Sequence, residues 1–464
     1  MIRPAFLSPI SAALVLLVSF IALPGHAAEV TKSTNVQPTK PAEIDEDYLE
    51  LIKLLADTLD QVDRNYVKDI DRRKLMEAAI RGIVRELDPY SNYIAPKDLE
   101  RFRTGVENEF GGIGIQIAVK QGNVVITSPL TGTPAYKAGI MPGDIISKIE
   151  GKPTKGITID EAVKRLKGKV GTKVHLTIFH PYSFESEDMT IQREMIQLET
   201  VLGDQRQENK DWDFMYDHEN KIGYIRLSAF GRNTAAQLRT TLKDLSQQGI
   251  KGLVLDLRSN PGGLLSAAIE ICDLFIESGK IVSTEGRNSP ARSWSAEVKG
   301  TVPDFPMAIL VNHYSASASE IVSACLQDHK RAVVIGERSW GKGSVQNIIQ
   351  LEGGKSALKL TTAGYQRPSG KNIHRFEGAT DKDDWGVSPS DGFEVKLDRK
   401  QQATYNLYRR DRDFRTMTPH APGPEAKLAE VDAVLDRAVS YLQNQINPSS
   451  EDASDTEQVE VTSR

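Results

Sequence analysis

Residues 252–276 constrain the fold of this chain more than any other stretch. Gly252-Leu253-Val254-Leu255-Asp256-Leu257 is a short apolar run bounded by turn formers, and it reads as a buried strand. Arg258-Ser259-Asn260-Pro261-Gly262-Gly263 reads as a sharp turn, and residues 264–276 as an amphipathic helix. A buried strand running through a glycine turn into a helix points to an α/β core. Glycines at a helix start present bare amides, which suit an oxyanion developing in a dry site. An ordinary strand-to-helix turn is the plainer alternative.

A second pattern gives that turn a use. Ser317 lies in Ser315-Ala316-Ser317-Ala318-Ser319-Glu320, and Lys342 is framed by Gly341 and Gly343. A neutral lysine amine can take the proton of a serine hydroxyl, provided burial stops the amine from being charged. Ser317 and Glu320 also have the spacing of a capping box, opening a helix-like segment over 321–327. The two readings are compatible, because a serine on a turn into a helix is exposed beside free amides at the positive end of the dipole. Ser315 and Ser319 are local rivals. Residues 336–342 have the glycine, four-residue, glycine and lysine spacing of a phosphate loop, but Gly343 stands where a serine or threonine must bind magnesium. His313, four residues before Ser317, opens a Ser-His-acid alternative, although a base so close in sequence would struggle to face the serine.

Five ordered blocks then resemble the carboxyl-terminal processing peptidases, tail-specific serine peptidases with a Ser-Lys dyad. They are residues 315–321, 337–346 (ERSWGKGSVQ), 256–263 (DLRSNPGG), 87–93 (LDPYSNY) and 365–373 (YQRPSGKNI). The resemblance implies that Ser317 is the nucleophile, that Lys342, twenty-five positions on, is the base, and that Gln346 orients the lysine. It implies an oxyanion hole from the amide of Ala318 and the Gly262-Gly263 turn, with the donating glycine left open, and assembly into a homodimer or higher oligomer. Asn312-His313-Tyr314 and Arg367 depart from the family pattern, which leaves the shape of the substrate pocket unspecified.

Between a helical N-terminal region and this core, residues 103–197 resemble a PDZ domain. The run Phe110-Gly111-Gly112-Ile113-Gly114-Ile115, the turn Pro142-Gly143-Asp144 and a helix over 159–166 carry the likeness. The loop of Gly111, Gly112 and Gly114 would offer amides to a terminal carboxylate. The strand over 115–118 would accept a peptide by edge pairing, and Ile113, Ile115 and Leu166 would wall an apolar pocket.

The ends frame the rest. Arg3, the apolar run over 12–23 and Gly25-His26-Ala27 read as a signal peptide cut after Ala27, with a retained anchor as the alternative. Residues 28–42 read as a linker, 43–102 as a helical domain, 198–398 as the catalytic core, 399–448 as a C-terminal helical segment and 449–464 as a disordered tail. The helical stripe of Tyr48, Leu51, Leu55, Leu59, Val62 and Tyr66, its repeat over 75–87 and a helix over 424–446 are the elements expected to assemble. A formal net charge of −5 on 464 residues argues against nucleic acid as a partner. The spacing of His, Asp, Glu and Cys matches no metal motif, so no metal and no cofactor is expected. Cys272 and Cys325 read as buried thiols acting as small hydrophobes, with a disulfide formed after export as the alternative. The expected fold is therefore a multidomain α/β protein: a serine-protease core, an inserted PDZ-like domain rich in strands and helical termini. Its expected function is an exported endopeptidase that takes protein substrates by exposed nonpolar C-termini, with an adaptor or activating protein as a further partner. The alternative is an inactive PDZ scaffold.

Overall fold

The computed structural model describes residues 46–99, 102, 109–130, 132–197, 199–207, 211–414 and 431–448. The expected signal peptide, the linker and the tail lie outside the described residues. The chain divides into two compact units, residues 1–75 and 76–464. In the first, helix α1 (Glu46–Asn65) carries the anticipated stripe, and none of its side chains is buried. A helix over Arg72–Arg85 (α2) follows.

In the second unit, a sheet of β1 (Ile115–Lys120), β2 (Asn123–Pro129), β3 (Ile145–Ile149), β4 (Lys173–His180) and β5 (Glu185–Gln192) is ordered as numbered and leaves β1 at an edge. Helix α3 (Ile159–Leu166) packs beside it. Alternating residues of these strands bury Val124, Ile126, Ile146, Ile149, Val174, Leu176 and Ile178 in one apolar cluster with Ala162 and Leu166 of the helix. The short strands Glu109–Gly112 and Glu194–Gln197 pair antiparallel and flank this module at both ends.

The core sheet is the one foreseen at residues 252–257. Strands β6 (Ile222–Leu227), β7 (Gly252–Asp256), β8 (Met307–Val311) and β9 (Val333–Gly336) run parallel, and every residue of β7 and β8 is buried. Their two faces are covered by different helices, which is why the strands read as continuous apolar runs. Leu253, Leu255 and Ile309 meet α4 (Thr234–Gln247), α5 (Leu265–Asp273) and α6 (Ala318–Asp328) in one cluster. Val254, Ala308 and Leu310 meet Val434, Leu435, Ala438 and Leu442 of a C-terminal helix in another. That helix covers Ala433–Ile446, and residues 424–430 of the expected span lie outside the described residues.

A further helix, α7 (Arg399–Phe414), precedes the C-terminal one, α8, which is capped by the Asp432 carboxylate accepting from the Leu435 amide. Arg258, from the glycine turn, donates to Asp256 at 2.6 Å and to Asp432 at 2.7 and 2.9 Å. The buried ion triad thus ties the end of β7 to the start of α8. Beyond β9 the chain forms a long antiparallel hairpin, β10 (Ser344–Leu351) with β11 (Ser356–Gln366). Cys272 and Cys325 are both buried free thiols, as expected.

Candidate active site

Three neighbouring parallel strands end on one side of the core sheet, and the loops leaving those ends carry the residues singled out in the sequence. Ligands of open α/β sheets gather at such carboxyl ends. The turn after β7 holds Gly262 and Gly263, the loop after β8 holds Ser317, and the loop after β9 holds Lys342.

Backbone and side-chain hydrogen bonds fix the first two loops against each other. The Ala316 amide donates to the Asn260 carbonyl at 3.0 Å, and the Ser319 hydroxyl donates to the same oxygen at 2.9 Å. The Ser259 amide donates to Asn312 Oδ1 at 2.8 Å, and the Ser315 hydroxyl donates to the Leu257 carbonyl at 2.8 Å. Ser315 and Ser319 are therefore committed to holding backbone. The Ser317 hydroxyl reaches the Tyr365 hydroxyl. Burial pushes the Tyr365 phenol up to about 12, against the opposing effect of the Ser317 contact.

Ser317 differs from the exposed turn serine expected from sequence: it is only 6% exposed, and its φ of 57° is a left-handed conformation that side chains rarely adopt. Gly262 makes that close packing possible. Its own φ is +95°, and a Cβ there would sit 2.7 Å from the Ala316 carbonyl oxygen and 2.8 Å from the Ala318 nitrogen. The amides now separate. Gly262 N–H donates to Asn260 Oδ1 at 2.8 Å, whereas Gly263 N–H and Ala318 N–H donate to no other group among the described residues.

Glu320 joins this assembly to the third loop. Its carboxylate is fully buried and accepts from the Ser317 amide at 2.7 Å, the Lys342 amide at 2.8 Å, the Gly341 amide at 2.6 Å and the Ser339 hydroxyl at 2.6 Å. Burial raises its pKa above the usual range in spite of those four donors. The capping box was legible in sequence; the grip on a loop some twenty residues away was not.

Lys342 is depressed to about 8, chiefly by burial and next by the positive charge of Lys359, while Glu320 and Asp88 pull the other way. Its Nζ lies 5.4 Å from the centre of the Tyr90 ring. Among the described residues no hydrogen bond joins it to Ser317 Oγ. Gln346 lies on β10, where its Nε2 donates to Ser344 Oγ at 2.8 Å and to Thr361 Oγ1 at 3.3 Å, with no bond to Lys342 among the described residues. Thr361 in turn meets Ser91, whose hydroxyl donates to Asp88 Oδ2 at 2.7 Å. Residues 87–93 thus build a wall beside the lysine. His313 is paired with Glu337, Nδ1 to Oε2 at 2.7 Å, and makes no hydrogen bond to Ser317 among the described residues.

The second candidate site is a groove of about 460 Å³ between edge strand β1 and α3, lined by Ile113, Gly114, Ile115, Ile117, Val163 and Leu166. Gly112 also lines it, while Gly111 sits just behind, its carbonyl accepting from the Gly168 amide. Gly114, at φ +77°, is packed so tightly on the Thr133 side chain that a Cβ would collide with it. Arg193, which sequence reasoning passed over, donates to the carbonyls of Arg165 and Leu166 at 3.0 and 2.8 Å and so fixes the end of α3.

Family models match three parts of the chain: peptidase family S41 over residues 221–382, a PDZ domain over 104–179 and the N-terminal domain of the activating protease CtpB over 19–97. A carboxy-terminal-processing protease of Bartonella bacilliformis is 41% identical over 322 residues, covering 68% of this chain and 71% of that relative. A probable CtpA-like serine protease of Staphylococcus aureus is 38% identical over 313 residues, covering 67% of this chain and 60% of its own length. Among solved structures, a photosystem II D1 C-terminal processing protease is 28% identical, covering 75% of this chain and 92% of that one, with a TM-score of 0.41. The chain belongs to the carboxy-terminal-processing proteases of peptidase family S41. It is an enzyme of the serine-peptidase class with a PDZ domain, as the sequence blocks implied.

Proposed function

We propose that this chain is an exported endopeptidase that captures protein substrates by nonpolar C-terminal tails and cuts them with a Ser317-Lys342 dyad. What carries the reading is Glu320, whose one carboxylate holds the nucleophile's amide and the lysine's amide together in a water-poor pocket. In the reaction, Ser317 Oγ gives its proton to neutral Lys342 Nζ and attacks the scissile carbonyl carbon. The amides of Ala318 and Gly263 stabilise the oxyanion; Gly262 positions that turn and is itself engaged with Asn260. The C–N bond then breaks as the Lys342 ammonium protonates the leaving amine, and a water deprotonated by the same lysine hydrolyses the ester. Because Nζ makes no hydrogen bond to Oγ here, the lysine side chain closes on the serine when substrate is bound, as catalytic bonds often tighten only in the complex. Gln346 steadies the strand beside the lysine through Ser344 and Thr361.

The division into a PDZ module over 103–197, a protease core over 198–398 and helical ends at 43–102 and 399–448 belongs to the same proposal. So do removal of residues 1–27 on export and assembly through the apolar face of α1. No helix among the described residues is long and apolar enough to cross a membrane. The test is hydrolysis of an unfolded protein with an apolar C-terminus by the mature enzyme and by Ser317→Ala. Loss of cleavage in a folded Ser317→Ala protein is expected, and retained cleavage would exclude the dyad.

A further inference from the structure

Two large, exposed aromatic rings belong to the loops that carry Ser317 and Lys342. Tyr314, three residues before Ser317, is 55% exposed, and Trp340, two residues before Lys342, is 48% exposed. Single exposed apolar side chains are ordinary. These two differ in being held. The His313 ring lies against Tyr314 at a tilt of 47° with centroids 3.9 Å apart, and His313 is itself fixed by its bond to Glu337. The Trp340 indole N–H donates to the Tyr90 hydroxyl at 3.4 Å, and the Trp340 amide donates to the Ser315 carbonyl at 2.9 Å, which ties the lysine loop to the loop bearing Tyr314. Rigid aromatic rings offer contact area at little entropic cost, and they recognise apolar or aromatic partners best when ordered beforehand.

We propose that Tyr314 and Trp340 are specificity-determining residues that bracket the scissile bond and hold bulky apolar side chains of the substrate on either side of it. The proposal rests on the dyad reading above and adds a second selection step. The PDZ groove reads the tail, and the ring pair reads the residues at the cut. His313 thereby acquires a role: it orders the ring instead of serving as a base.

The experiment uses the full mature enzyme and two peptides with one shared apolar tail, one carrying leucine or phenylalanine at the positions flanking the cut and the other serine or asparagine. kcat/KM is measured for the parent, Tyr314→Ala, Trp340→Ala, Tyr314→Phe and Trp340→Phe. The parent is expected to favour the apolar flanks by on the order of tenfold or more, the alanine variants to lose most of that ratio, and the phenylalanine variants to keep it. An unchanged ratio in both alanine variants, or an equal fall on both peptides, overturns the inference while leaving the dyad standing. A parent that cleaves neither peptide removes the dyad reading first, and this inference with it.

Discussion

Glu320 grips Lys342 through the main chain: its Oε2 accepts the Lys342 amide at 2.8 Å, and the same oxygen accepts the Ser317 amide at 2.7 Å. All four of its partners are donors, so an amide cannot replace the carboxylate. In Glu320→Gln the side-chain NH₂ must face two of them. A loss of about 2–3 kcal/mol in unfolding free energy is expected, with kcat reduced at least about tenfold and KM little changed. Denaturant titration and steady-state kinetics measure the two effects. Since the Glu320 charge raises the Lys342 pKa, its removal also moves the acidic limb of the rate profile to lower pH. A purely structural loss would leave the limb in place.

In the proposed dyad, the lysine sets the direction of the pH dependence. The base is active when neutral, so kcat/KM should rise with pH through an apparent pKa of about 8, leaving about a tenth of the enzyme competent at pH 7. Lys359 lowers that pKa by repulsion, and Lys359→Met should shift the limb to higher pH. A profile of kcat/KM between pH 6 and 10 for both proteins checks the sign. A limb that does not move in Lys359→Met excludes that repulsion as a cause.

Gly262 offers a test of the fit between the turn and Ser317. An added methyl would meet the Ala316 carbonyl, the Ala318 nitrogen and the Ser317 Cβ, the last at 2.9 Å, and the backbone sits at φ +95°. Gly262→Ala should therefore displace Ser317 and Ala318 together, lowering kcat by about 10²–10³, the usual consequence of losing an oxyanion donor. Mass spectrometry of labelling by a serine-directed fluorophosphonate gives an independent readout. Undiminished labelling and kcat in the alanine variant would show that the turn does not govern the serine.

Sequence reveals the parts of this site whose causes are local. Residues 252–257 read as a buried strand because both of its faces are covered, and Ser317-to-Glu320 reads as a cap because capping spans one helical turn. The sequence has no comparable signal for the Glu320 bonds to residues 339–342, which depend on how β9 returns beside β8. The approach of Tyr365 to Ser317 depends likewise on the register of β11 against β10. The choice between Gly262 and Gly263 was open for the same reason. In the proposed mechanism it turns on the Asn260 side chain, which occupies the first amide and leaves the second uncommitted. Ser317 was expected exposed because caps usually are; here the Gly262 turn covers it.

The PDZ groove makes the last prediction, because capture and cutting should separate kinetically. Ile115 is half-buried at the start of edge strand β1 and lines the groove with Leu166 and Val163. A carboxylate there would face the apolar tail and repel its terminal carboxylate; because Ile115 also packs on the buried cluster of Val124, Ile126 and Ile178, a thermal melt of the variant accompanies the kinetics. Ile115→Asp should raise KM for a tailed substrate by at least about tenfold, about 1.4 kcal/mol, with kcat at saturation close to the parent's. A substrate whose C-terminus is amidated already lacks the charge that the groove's amides are proposed to receive, so the variant should discriminate far less between free and amidated tails. If KM for the tailed substrate is instead unchanged while kcat falls, the groove acts on the catalytic loops and does not serve as a docking site, and delivery must precede cutting by another route.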